Sequence, residues 1–186
     1  VDFEATTGVT NRWWTQDGVT KVVYKDRAEA DRRLLTYTSP VLAEDMEITG
    51  HPVVKLFVAS TETDGAFHVY LEDVDENGKV IYLTEGILRA LHRRVADRPS
   101  EHSPFVPHHT FLREHGLPLV AGEVAEVTFG LLPVSALVRK GHRLRVALAG
   151  HDKDTFARIP EEGEPTLTVH RNAVHASYID VPVVGR

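Results

Sequence analysis

Apolar and polar side chains alternate with a period of two along most of this chain. That spacing turns one face of an extended strand toward a core and the other away from it. The run HRLRVALA at 142–149 is the clearest case: Leu144, Val146 and Leu148 share one face, while Arg143 and Arg145 lie on the other. In PVVKLFVAS (52–60), Val54, Leu56 and Val58 form one face. Val53, Phe57 and Ala59 join Lys55 on the opposite one, so this strand is predicted to be covered on both sides. Residues 66–74 set Phe67, Val69 and Leu71 against His68, Tyr70 and Glu72. Val127, Phe129 and Leu131 continue the pattern, as do Leu167 with Val169, and then Ile179, Val181 and Val183. Leu144 and Val146 are expected in the core.

Turn chemistry separates these runs. Asn77-Gly78 stands between Phe67–Asp75 and Lys79–Leu83, a strong hairpin signal because both central positions favour φ > 0. Asp17-Gly18, Asp64-Gly65 and Lys140-Gly141 mark further turns. The sum is about nine to eleven short strands, the range of sandwiches and jelly rolls. Helix is scarce. KDRAEADRR (25–33) has room for two turns but lacks an apolar stripe, so a solvated loop fits it equally well. Residues 134–139 are expected to form one helical turn before Gly141. From Arg93 to Gly122 the chain carries four prolines and no sustained period. It reads as a long connection, of the length at which loops are functional or wrap another domain.

Composition narrows the classes. At 186 residues, 42% hydrophobic and 26% charged, the chain suits one domain of ordinary size. The net charge of −6, from 27 acidic residues against 21 Lys and Arg, argues against a nucleic-acid surface, which needs a basic face to release counterions. No apolar run approaches the roughly 18 to 20 residues of a membrane-spanning helix. There is no cysteine, which removes disulfides, thiolate ligands and a cysteine nucleophile, and suits a reducing cytoplasm. The start at Val1 with no signal-peptide pattern suggests a fragment or a processed product.

Catalytic signatures are missing. A nucleophile elbow places glycine two residues either side of its serine, because the strained strand-to-helix turn demands small neighbours. None of Ser39, Ser60, Ser100, Ser103, Ser135 and Ser177 has this setting. No phosphate loop, dinucleotide-binding turn or H-E-x-x-H helix occurs either. Four of the eleven histidines, His102, His108, His109 and His115, crowd the long loop and form a candidate metal set with Glu101 and Glu114. A proline-rich loop whose histidines pack on a neighbour is the favoured reading. Glu72, Asp73, Asp75 and Glu76 form an acidic cluster suited to calcium or, more simply, to a hydrated hairpin tip. His151-Asp152-Lys153-Asp154 has the makings of a catalytic pair without an activated serine. His170 and His175 read as strand-end residues. Trp13-Trp14 reads as packing anchors, since neighbours on an extended segment face opposite ways and cannot share a sugar platform. No residue is nominated as catalytic, cofactor-binding or metal-binding, and no cofactor is expected.

Four stretches carry a resemblance. LTYTSPVLAEDMEITGHPVVKLFVAS (Leu35 to Ser60) resembles the opening of the C-terminal domain of the cocaine-esterase and X-prolyl dipeptidyl-peptidase family. LTEGILRALHR (Leu83 to Arg93), LLPVSALVRKGHRLRVALAGHDKDTF (Leu131 to Phe156) and HASYIDVPVV (His175 to Val184) resemble its later motifs, in the family's order. The resemblance implies an all-β jelly-roll sandwich, galactose-binding-domain-like, over 34–186. Residues 1–33 would be an N-terminal segment leading in from an α/β-hydrolase domain. That domain would supply the Ser, Asp and His that cleave esters or X-Pro dipeptides, since no triad position falls within this chain. The implied role is non-catalytic: packing on the hydrolase domain, shaping its substrate cleft, and supporting a homo-oligomer. The alternative on the same fold is a stand-alone carbohydrate-binding module.

Overall fold

The computed structural model describes residues 1–14 and 21–185, and the turn expected at Asp17-Gly18 lies outside the described residues. The described residues form ten strands: β1 (Leu35–Thr38), β2 (Met46–Gly50), β3 (Val53–Ser60), β4 (Ala66–Val74), β5 (Val80–Arg89), β6 (Ala125–Gly130), β7 (Val134–Val138), β8 (Arg143–Ala149), β9 (Leu167–His170) and β10 (Tyr178–Asp180). One sheet has the order β1-β8-β4-β5. The second is built on β3, with β6 along one side. The other side of β3 is shared, with β10 opposite Val53–Lys55 and β9 opposite Phe57–Ser60. Between those two partners Ser177 keeps the ladder closed. Its Oγ accepts from the Phe57 amide at 2.9 Å and donates to the His170 carbonyl at 2.7 Å. A separate ribbon pairs β2 with β7.

Every pairing is antiparallel, and the fold is an all-β sandwich, as the alternation and the resemblance both predict. The inward faces carry the alternating apolar sets read from the sequence. Val54, Leu56 and Val58 of β3 and Val127 and Phe129 of β6 meet Phe67, Val69 and Leu71 of β4, Leu88 of β5 and Leu148 of β8. Where β5 passes the end of β6 the chains nearly touch. A β-carbon on Gly86 would lie 2.8 Å from the Gly130 carbonyl oxygen, so only glycine fits this crossing.

Several expectations are corrected. Residues 134–138 of the stretch 134–139 form strand β7, not a helical turn, because the ladder with Met46–Gly50 and burial of Val138 favour the extended form. Residues 25–33 do not form two helical turns, and the solvated reading holds for Lys25, Asp26, Glu29, Arg32 and Arg33 but not for the whole segment. They make one 3₁₀ turn at Ala30–Arg33, with Arg27 and Asp31 buried. The β4–β5 hairpin does not turn on two residues of positive φ, since Gly78 has φ +84 and Asn77 does not share it. Instead the Asp75 carboxylate accepts from the amides of Asn77 (2.8 Å) and Lys79 (2.9 Å) and organises a longer loop. The outer face of β3 is half-buried, not covered, with Phe57 against His175 and Lys55 paired to Glu126 at 3.0 Å. Leu144 and Val146 point toward the core but are half-buried. There the sheets part around a cleft of about 220 Å³, walled by Tyr37, Val54, Val146, Val169, Tyr178 and Ile179.

This difference is measurable. Val69→Ala, at a fully buried site, is expected to cost about 2 to 3 kcal/mol by transfer and cavity terms, and Val146→Ala only about 1 kcal/mol. Equal costs in denaturant unfolding would contradict the placement of the cleft.

Candidate functional site

The densest concentration of titratable groups lies on the side of β4 that faces away from the core. All nine residues of β4 are buried, although His68, Tyr70 and Glu72 project from the face that alternation reads as solvent-exposed. A strand buried on both sides needs a second cover, and a buried polar cover needs partners. Residues 1–14, 24–33 and 151–156 supply them. Arg27 donates from Nε to Glu72 Oε1 at 2.6 Å and lies 4.5 Å above the centre of the Tyr70 ring. Its Nη2 stands 3.7 Å from Asp31 Oδ1, and Arg145 of β8 donates to Asp31 Oδ2 at 3.0 Å. Two arginines and two carboxylates are thereby held side by side, with Glu72 0% and Asp31 4% exposed.

Further along the same face, Tyr70 Oη donates to Asp152 Oδ2 at 3.4 Å, and the Asp152 carboxylate also accepts from the Thr7 hydroxyl and amide. Asn11 ties Thr7 to Thr155 through its side-chain amide, each contact 2.7 Å. Tyr24 stacks on Tyr82 with ring centres 3.7 Å apart and donates to Glu85 Oε1 at 3.1 Å. Phe156 meets both Trp13 and His68 edge-on.

Burial sets the electrostatics. Loss of solvent holds the His68 ring neutral, with its pKa depressed to about 3, and the neighbouring His151 adds to this. Burial pushes Glu72 up, against the pull of Arg27 and with a smaller push from Asp31. Burial also raises Tyr70, Tyr82 and Glu85. Shifts of this kind mark functional sites and structural ion-pair networks alike. Here geometry decides for structure. The carboxylates are spent on arginines and hydroxyls of the cover, and none is matched with a nucleophile aimed at open space. A recess of about 420 Å³ beside Arg27, Tyr70 and His151 has its outer charges paired, Arg32 with Glu29 at 3.2 Å and Arg33 with Asp2 at 2.6 Å.

The residues singled out by sequence are dispersed. His102 is exposed, His108 Nδ1 lies 3.2 Å from the Arg98 carbonyl, and His115 Nδ1 is 2.7 Å from the Thr110 hydroxyl. His109 is buried between the carbonyls of Arg94 (3.1 Å) and Thr128 (3.0 Å). Glu101 and Glu114 are both exposed. Among the described residues no three His, Asp or Glu stand as a metal-holding group. The acidic cluster separates too: Glu72 goes to Arg27, Asp73 to His142 at 2.8 Å, and Asp75 to its own turn. Asp154 accepts from Thr6 at 2.7 Å, while His151 packs on Phe3 with ring centres 5.3 Å apart. His170 and His175 meet edge-on at 5.7 Å. Trp13 packs inward on Phe156, and Trp14 donates to the Asp154 carbonyl at 2.7 Å.

Sequence reading missed the Arg27–Glu72–Asp31–Arg145 set. The signal available was the i, i+4 spacing of Arg27 and Asp31, with opposite charges at Glu72 and Arg145. Those two positions face each other across the β4–β8 ladder.

Two predictions follow from burial. Arg27→Met alone leaves Glu72 buried without its cation and is expected to cost about 3 to 5 kcal/mol. Adding Glu72→Leu should recover at least half of that loss in urea unfolding, and a double variant no more stable than the single would contradict the pairing. His68 gives the pH dependence. The unfolded chain binds a proton near the ordinary pH 6.5 and the native ring only near pH 3. Stability present above pH 6.5 is therefore lost as pH falls toward 3, by about 1.4 kcal/mol per unit. His68→Leu should flatten this acid slope in thermal melts, and an unchanged slope would assign it elsewhere.

Known proteins add the family context. Residues 4–180 match the model of the X-Pro dipeptidyl-peptidase C-terminal non-catalytic domain. A protein with a serine-esterase name from Mycobacterium bovis is 51% identical over 185 residues, 99% of this chain and 29% of its own length. Cocaine esterase from Rhodococcus is 28% identical over 180 residues, 87% of this chain and 28% of its own. This chain thus spans less than a third of the curated relatives it matches. In fold it is similar to a CocE/NonD family hydrolase from Staphylococcus aureus (TM-score 0.70, 20% identity, covering 86% of this chain and 32% of that one). It is also similar to an α-amino acid ester hydrolase (TM-score 0.71, 22% identity, covering 89% and 28%). Matched from residue 4 to residue 180, the chain belongs to the X-Pro dipeptidyl-peptidase C-terminal non-catalytic domain family.

Proposed function

We propose that this domain works as the accessory part of a longer serine hydrolase, packing on an α/β-hydrolase domain of the same polypeptide and helping to wall its substrate cleft. The observation that carries this reading is the match over residues 4–180 to a domain described as non-catalytic. The 51% identity to a serine-esterase-named protein more than three times as long points the same way. The buried polar face supports it, because its carboxylates are bonded to the domain's own arginines and hydroxyls. Residues 1–33 then lead in from the hydrolase portion, and residues 1–14 and 24–33 among them roof the polar face of β4.

On this reading the reaction of the whole protein is hydrolysis of an ester or an X-Pro peptide, and for the ester it runs as an acyl transfer. A serine of the hydrolase domain attacks the carbonyl and expels the alcohol, and water releases the acid from the acyl-enzyme. The long connection between β5 and β6 is the part of this domain best suited to reach that cleft. A carbohydrate-binding role finds little support, since Trp13 is turned inward and Trp14 is tied to the Asp154 backbone.

The test is hydrolysis of a p-nitrophenyl ester by this chain alone and by the polypeptide with its hydrolase portion present. Turnover in the longer protein only is the expected result. Comparable turnover by this chain alone would overturn the reading.

A further inference from the structure

The connection between β5 and β6 has two different sides. Its inner side seals the sandwich. Sheet order leaves β6 as an edge strand, and exposed strand edges invite pairing with other chains. His109 bridges to the Thr128 carbonyl on that strand, Val106 fills the space over Gly130, and Leu119 enters the core at 3% exposed. Its outer side exposes large apolar side chains among charged ones such as Glu101 and Arg113: Phe105, stacked on His51 at 6.3 Å, is 76% exposed, Phe111 62%, Val120 56%, and Leu112 and Leu117 nearly half. A cluster of large apolar side chains on one loop marks an interaction surface more than a chance surface does.

Phe111 adds an independent sign. Its φ is +55, and it is the one non-glycine residue with positive φ among those described. A β-carbon and a ring disfavour that conformation, and such strain collects at functional contacts. Here the strain does not bury the ring; His92 and His109 flank it at 5.1 and 6.2 Å and leave its outer side open. Beside it, Arg94, Arg98 and His115 line a recess of about 310 Å³ that also contains Asp97. Neither Arg94 nor Arg98 forms an ion pair among the described residues.

We infer that the outer side of this loop, centred on Phe105 and Phe111, is the face that docks on the hydrolase portion of the same polypeptide. The matching surface there is an apolar depression that receives the two rings, with a carboxylate at its border for Arg94 and Arg98. The inference rests on the accessory-domain reading above. The relatives' greater length supports that occupant: a 51% identical relative devotes 71% of its chain to sequence outside the match.

Photo-crosslinking in the full-length protein tests it. Phe105, Phe111 and, as a control, Val174 are each replaced by p-benzoylphenylalanine. Val174 is 81% exposed on the turn between β9 and β10. Crosslinks from positions 105 and 111 into hydrolase-portion peptides, at monomer mass, are the expected result. Arg94→Glu with Arg98→Glu should lower their yield about tenfold. Crosslinks into that portion from 174 only would place the docking face elsewhere and overturn the inference while sparing the accessory reading. Products from 105 and 111 only at dimer mass would make the face a contact between copies, and the inference would fall. No crosslink to the hydrolase portion from any of the three positions would count against both.

Discussion

The structure depends on burying β4 from both sides. One face belongs to the inter-sheet core and needs only apolar side chains. The other carries His68, Tyr70 and Glu72, and each polar atom placed there must be matched or left at a cost of about 1 to 3 kcal/mol. The Arg27–Glu72 contact at 2.6 Å meets this requirement at Glu72 Oε1, while Glu72 Oε2 and His68 Nδ1 have no hydrogen bond among the described residues. It fixes the chain entering β1 against the sheet, and Arg145 extends the match through Asp31. Residues 1–14 and 21–33 are held without forming a strand of the main sheets, by side-chain contacts and by scattered backbone bonds such as that from the Arg27 amide to the Val80 carbonyl.

That arrangement explains which parts of the molecule were legible in the sequence. The inward face of each long strand was, since Val54, Leu56, Val58, Phe67, Val69 and Leu71 alternate with more polar neighbours. The resemblance of four ordered motifs gave the sandwich and its family. The covered outer face of β4 was hidden, because His68, Tyr70 and Glu72 have the composition of a solvated face. Only their distant partners reveal the burial, and a period-two pattern holds no long-range information. Strand β7 was misread for a related reason: Val134 to Val138 is short, and its ladder partner lies nearly ninety residues earlier. Leu144 and Val146 kept the predicted direction but not the predicted depth, which depends on how closely the two sheets approach.

As for chemistry, the sequence nominates no catalytic residue, and the matched family is described as non-catalytic. The groups whose titration burial shifts serve the roof over β4. Residues that looked chemical in pairs, such as His151 and Asp152, separate once placed: the imidazole packs on Phe3 and the carboxylate serves Thr7 and Tyr70. The loop from 93 to 122 behaves oppositely. It has no regular structure beyond a 3₁₀ turn at Arg113–His115, but it closes the β6 edge inward and presents its rings outward. Stability and interaction are thereby assigned to different faces of the sandwich.

Native-state hydrogen exchange tests the central claim, that the N-terminal segment and β4 form one cooperative unit. The Arg27 amide, bonded to the Val80 carbonyl at 3.0 Å, and the Leu34 amide, bonded to Asp31 at 3.0 Å, are the reporters. The account predicts that they exchange with the same opening free energy as the amides of 66–74, close to that of global unfolding. Exchange of Arg27 and Leu34 several kcal/mol more easily than β4 would show a segment that peels away alone, and would contradict it.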